Sequence, residues 1–112
     1  ASLTATLIRM IDSDQFPCSM VVTHRASGKP WVTRAPSMQR RWFARDDLDP
    51  GSFAFTMMYG NDARTEGFPR KIGADAWFDH HSAAEFEITE QSFKLPTGDV
   101  VTVLNLPERM AG

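Results

Sequence analysis

A single cysteine, Cys18, stands in the 112 residues. It excludes an intramolecular disulfide and a multi-cysteine zinc site, and it fits a reducing compartment. No apolar run approaches the roughly 18 residues that a membrane-spanning helix needs, and no charged-then-apolar leader opens the chain. A soluble, cytoplasmic protein with no membrane partner is the expectation. Charge of one sign is also lacking. Twelve Lys and Arg face fourteen Asp and Glu, for a formal net charge of -2 and a pI near 5.9. Such a balance gives no bulk attraction to nucleic acid or anionic lipid. The densest basic stretch, Arg40, Arg41 and Arg45 with Lys29 and Arg34 upstream, reads as a solvated face, so no direct nucleic-acid binding by this domain is expected. A nucleophile elbow, a P-loop, a dinucleotide glycine fingerprint and HExxH are all missing. The chain is therefore not expected to be an enzyme.

What is present is core. Hydrophobic residues make up 42% of the chain, with three Trp and eight Phe, enough for one compact domain over 1–112. No internal repeat or low-complexity tract divides it. The chain opens at Ala1 without a methionine and ends on "ERMAG", which is compatible with a domain cut from a longer protein and leaves open whether it is one. Residues 1–13 predict a flanking amphipathic helix ahead of an α+β core over 16–107. In "SLTATLIRMIDSD", Leu3, Leu7, Met10 and Ile11 recur at i, i+4, i+7 and i+8, which puts them on one stripe. That stripe packs either on its own domain or along a dimer seam.

After Phe16 and Pro17 the period changes. "CSMVVTHR" alternates Met20, Val22 and His24 against Val21 and Thr23, "ASGK" is a turn, and "PWVTRA" is a second short strand, which together predict a hairpin. "PSMQRRWFARDD" places Met38 and Trp42 at i, i+4 on a short helix that ends near "DDLDPGS". "FAFTMMYG" alternates Phe53, Phe55, Met57 and Tyr59. By period it is a strand, although a short apolar run also suits a buried helix. As a strand it has one large, soft face that Trp77 or Phe78 is placed to cover, a surface that suits a small apolar ligand as well as plain core. "NDARTEGFP" is a loop, and "RKIGADAWF" is a weak helix interrupted by Gly73. "AEFEITEQSFKL", the turn "PTGD" and "VVTVLNL" form a β-hairpin. Phe86 and Ile88 share one parity while Phe93 and Leu95 share the other, which predicts a bulge or bend between Thr89 and Ser92.

The stretch "AWFDHHSAAEFEITEQSF" gathers the most chemistry. Asp79, His80, His81 and Glu85 are the candidates for a small metal-dependent enzyme, the alternative to a binding module. Zinc wants three or four converging ligands, however, and adjacent histidines point about 100° apart on a helix or to opposite faces of a strand. Glu85 and Glu87 at i, i+2 read as one solvated strand face rather than an acid/base pair. "DHH" is expected to close a helix and "AAEFEI" to begin a strand.

The run "FPCSMVVTHRASGKPWVTRAPSMQRRWFARDDLDPGS" resembles the opening of a PAS domain: a strand, a turn containing Gly28, a second strand, a helix with Met38 and Trp42, then Asp49-Pro50-Gly51. The hairpin around "KLPTGD" and the preceding helix are similar to late-strand and flanking elements of that family. The resemblance implies an antiparallel sheet of about five strands with short helices on one face, enclosing a pocket or pairing as a homodimer. It further implies a sensory module in signal transduction or transcription, with an attached or partner regulatory domain. A flavin photosensor of the family needs a cysteine in an Asn-Cys-Arg type motif, and "NDAR" at 61–64 lacks it. A haem-binding subtype would take His80 or His81 as the axial imidazole, with Met57, Met58, Trp77 and Phe78 as apolar walls. The bland reading, with no cofactor, is preferred.

Overall fold

The two segments richest in β-branched residues, "SMVVTH" and "VVTVLN", lie side by side at the middle of one sheet. In the computed structural model the described residues are 3–13, 18–25, 29–36, 42–60 and 67–111. In chain order they form α1 (Leu3–Asp12), β1 (Ser19–His24), β2 (Trp31–Arg34), α2 (Phe53–Tyr59), β3 (Arg70–Gly73), β4 (Glu87–Lys94), β5 (Val100–Asn105) and α3 (Glu108–Ala111), with 3-10 turns at Ala74–Ala76 and Ala83–Glu85. The strand order is β2-β1-β5-β4-β3 and every pairing is antiparallel. The molecule is thus an α+β domain with a five-stranded antiparallel sheet and few short helices.

Register sorts the side chains onto two faces, because directly paired residues point the same way. Met20 pairs with Leu104 and Val22 with Thr102; on the other side of β5, Glu90 pairs with Leu104 and Ser92 with Thr102. These residues, with His24, Ile88 and Val100, make the inner face. It is closed by α2 and by the buried rings of Trp42, Trp77 and Phe78. Trp42 is the hub of that cover. Its ring meets Phe78, His80 and Phe86, and its indole N–H donates to the Met110 carbonyl at 2.6 Å, tying α3 to the core. The outer face carries Val21, Val101 and Val103. Helix α1 crosses it over β1 and β2, with Ile11 buried and Leu7 and Ile8 half-buried.

Both hairpins form where the sequence places them. The turn after β4 closes through the Leu95 amide donating to the Asp99 carbonyl and the Gly98 amide donating to the Leu95 carbonyl, with Gly98 at a φ of 91° that favours glycine.

Four expectations need correction. The segment 53–59 is a helix, not a strand, because its N-terminus is capped from two sides while an apolar run alone leaves the period undecided. Conversely 70–73 is an edge strand that ends at Gly73, not the start of a weak helix; only a 3-10 turn follows it. The sheet therefore has five strands with a different third member. No bulge interrupts β4, whose register runs unbroken from Thr89 to Lys94. Finally "DHH" follows a single 3-10 turn and does not close a helix, and Glu85 lies in the next 3-10 turn while Glu87 starts β4, so the two carboxylates share no strand face. Most of the helix expected around Met38 lies outside the described residues. From Trp42 the chain is not helical, and Ala44 forms a bridge with Phe78.

Candidate functional site

The apparent parity break in "EITEQSF" is a polar group turned inward. Glu90 and Ser92 keep the inward phase of Ile88, and Phe93 faces out. Glu90 is 1% exposed and its carboxylate reaches the start of α2. Oε1 accepts from the Phe53 amide at 3.2 Å and Oε2 from the Ala54 amide at 2.8 Å. The Ser92 hydroxyl lies 3.2 Å from Oε2 and 2.8 Å from the Thr102 hydroxyl, so β4, β5 and α2 meet in one buried network.

The rest of the α2 N-terminus is satisfied locally. The Ser52 side chain accepts from the Phe55 amide, the Ser52 amide donates to the Asp49 carbonyl, and Asp49 accepts from the Gly51 amide. Every amide that the first turn leaves without a helical partner thus has an acceptor, and two of the acceptors belong to one buried side chain. This arrangement explains how a seven-residue helix persists: it is held by a strand rather than by its own propensity.

Beside the network lies a cleft of about 270 Å³ lined by Phe53, Thr56, Met57, Gly67, Phe68, Arg70 and Ser92. The Gly67 amide donates to the Ser92 carbonyl, and the Gln91 side-chain amide donates to the Gly67 carbonyl, which brings the strand-free chain at 67 against β4. The Arg70 guanidinium stands 4.9 Å from the centroid of the Phe53 ring.

The residues expected to form a pocket on one strand face are redistributed by the helix. Phe53 and Met57 line the cleft, Phe55 and Tyr59 do not and meet each other at a tilt with ring centroids 5.0 Å apart, and Trp77 and Phe78 are core. Two of the six expected residues therefore line the cleft. Thr56, Gly67, Phe68, Arg70 and Ser92 were missed, and the signal for the last of these was the parity break itself.

His80 and His81 are brought together but not toward a common ion. Their rings stack at 4.4 Å with 24° between planes, and imidazole lone pairs lie in the ring plane, so they run side by side instead of converging. The His80 Nδ1 already accepts from the Ser82 amide at 3.1 Å. Among the described residues no group of three or more His, Cys, Asp or Glu side chains is placed to hold a metal ion, and no helix is long and apolar enough to cross a membrane.

A different histidine is unusual. His24 is buried on the inner face edge-on to Trp77, with ring centroids 5.7 Å apart, and neither of its ring nitrogens has a hydrogen-bond partner among the described residues. Desolvation pushes its pKa below the ordinary value, against the weaker opposing pull of the Arg45 backbone, Asp47 and Asp46.

On the outer face Ile11 is buried and Leu7 half-buried against the sheet, while Leu3 and Met10 remain 41% and 40% exposed. A groove lined by Leu7, Met10, Ile11, Val21 and Val103 runs along that edge of α1. The stripe is thus split between an intramolecular contact and an open apolar margin. Comparison of the chain with protein-family models, with curated proteins and with solved structures finds no match.

Proposed function

We propose that the chain is a PAS-like, non-catalytic sensory and dimerisation module of a cytoplasmic regulatory protein, serving an output domain that is attached or recruited. The antiparallel five-stranded sheet with its short helices supports this reading, and so does the helical state of 53–59, since a strand there would depart from the element order of that family.

The observation that carries it is the Glu90 network. Ser92 lines the cleft, Glu90 holds α2, and Thr102 sits on β5; the next residue, Val103, points to the opposite face and lines the groove beside α1. A change in the cleft therefore has a short, packed route through one strand to the helix on the far side, which is what a module needs in order to pass occupancy from one face to the other. The lone pairs of Glu90 are committed to two amides and a hydroxyl, which suits a fastening and not a general base.

The test is a thermal-shift screen of small molecules followed by hydrogen exchange on the hits. The reading expects a stabilising molecule to change exchange both at the Ala54 amide and within α1. Hits that alter the cleft amides and leave α1 untouched would defeat the sensory part.

A further inference from the structure

The cleft carries a cation with no anion. Arg70 is exposed on edge strand β3 and forms no ion pair among the described residues, where the neighbouring Lys71 has Glu87 at 3.9 Å. Its cross-strand partner in register is Glu90, yet both Glu90 oxygens are occupied by α2 and Ser92, and the guanidinium instead lies over the Phe53 face. A guanidinium held over a ring without an ion-pair partner still has its forked N–H donors to offer, the set that takes a carboxylate bidentately. The mouth is marked by a second feature: Phe68, 77% exposed, is an aromatic ring left in solvent at the edge of an apolar-walled cleft. Cavities that hold drug-sized ligands measure about 300–1,000 Å³, so the cleft selects something smaller.

We propose that this cleft binds a small planar monocarboxylate with an aryl body, its ring against Phe53, Met57 and Phe68 and its carboxylate forked on Arg70. The inference rests on the sensory reading above and names its ligand class. Met57 is the adjustable wall, because its flexible thioether tip can shift to suit the ring. Gly67 lies close against that wall: a Cβ there would come within 3.2 Å of the Met57 methyl and press on it. The Glu90 carboxylate is turned to the two α2 amides and the Ser92 hydroxyl, and Arg70 at the rim supplies the positive charge that a bound carboxylate needs.

Benzoate and benzamide share a shape and differ in charge, which makes them the probes. Each is titrated into the chain while the amide resonances of Gly67 and Ser92 are followed. The proposal expects both signals to move, with benzoate binding about tenfold tighter than benzamide, the scale of exchanging a neutral for a charge-assisted contact. Arg70→Gln, at an exposed site, is expected to leave the melting temperature near that of the wild type and to erase the preference for benzoate. Phe68→Ala is expected to weaken both probes alike. Equal affinity for the two probes, or no movement at Gly67 and Ser92, overturns the proposal. So does a screen whose hits are all neutral or cationic and indifferent to Arg70→Gln, an outcome that leaves the sensory reading standing.

Discussion

Replacing Glu90 separates two opposed effects whose sizes follow from the structure. Burying a carboxylate is costly, and replacing a whole buried ion pair by apolar residues of similar size is often neutral or stabilising by about 1–4 kcal/mol, because no partner is left behind. Here, however, the donors facing the charge are the backbone amides of Phe53 and Ala54, which remain when the side chain is removed. Each buried donor left without an acceptor costs about 1–3 kcal/mol. Glu90→Leu strands both amides, for a loss of about 4 kcal/mol before any relief from removing the charge. Glu90→Gln keeps one acceptor and turns an NH2 group toward a donor, for a loss of about 2 kcal/mol. At about 4–8 °C per kcal/mol for a domain near this size, the glutamine variant should melt about 10 °C lower and the leucine variant lower still. Thermal unfolding followed by circular dichroism gives the order, and exchange of the Ala54 amide locates the damage at α2. A Glu90→Leu protein as stable as the wild type would refute the reasoning, because it would mean that the α2 amides do not depend on this carboxylate.

Other outcomes follow from single side chains. His24 has a folded-state pKa below that of the unfolded chain, so the unfolded state binds more protons as the pH falls. The stability that its neutral form contributes is complete above the ordinary imidazole value of 6.5 and is lost as the pH drops through it toward the folded value. Denaturant melts between pH 7.5 and 5 should show this slope and His24→Phe should flatten it; an unchanged slope in the variant would contradict the assignment. Trp42→Phe removes the donor to the Met110 carbonyl and shrinks a fully buried ring, which should lower stability by about 2–3 kcal/mol and expose the α3 end to carboxypeptidase. Resistance to the protease equal to that of the wild type would show that α3 is held by other contacts.

Both hairpins were legible in the sequence because their signals are local: alternating β-branched residues and a Gly-containing turn. The amphipathic stripe of α1 was legible too. What it rests on was not, since spacing alone does not say that Ile11 is covered and Met10 is open. The helix at 53–59 was hidden because the acceptor that caps it lies 36 residues away on another strand. For the same reason the cleft was only half visible. Phe53 and Met57 belong to the apolar run, but Ser92 and Arg70 join them only through the pairing of β3 with β4. The inward turn of Glu90 and Ser92 did leave a mark, a break in apolar parity. A bulge is the ordinary explanation of such a break, and a buried polar pair with unbroken register is the other.

Self-pairing through α1 is the part of the regulatory reading most open to direct measurement, because the structure separates the residues that hold α1 on the sheet from those left open. Leu7 and Ile11 are covered against the sheet, whereas Leu3 and Met10 stay 41% and 40% exposed. Sedimentation velocity of the wild-type chain from micromolar to millimolar concentration, beside a Leu3→Glu, Met10→Glu double variant, tests it. The wild type should pass from the mass of one chain to that of two, while the variant stays at one chain with an unchanged melting temperature. A wild-type mass that remains at one chain across the whole range would contradict it.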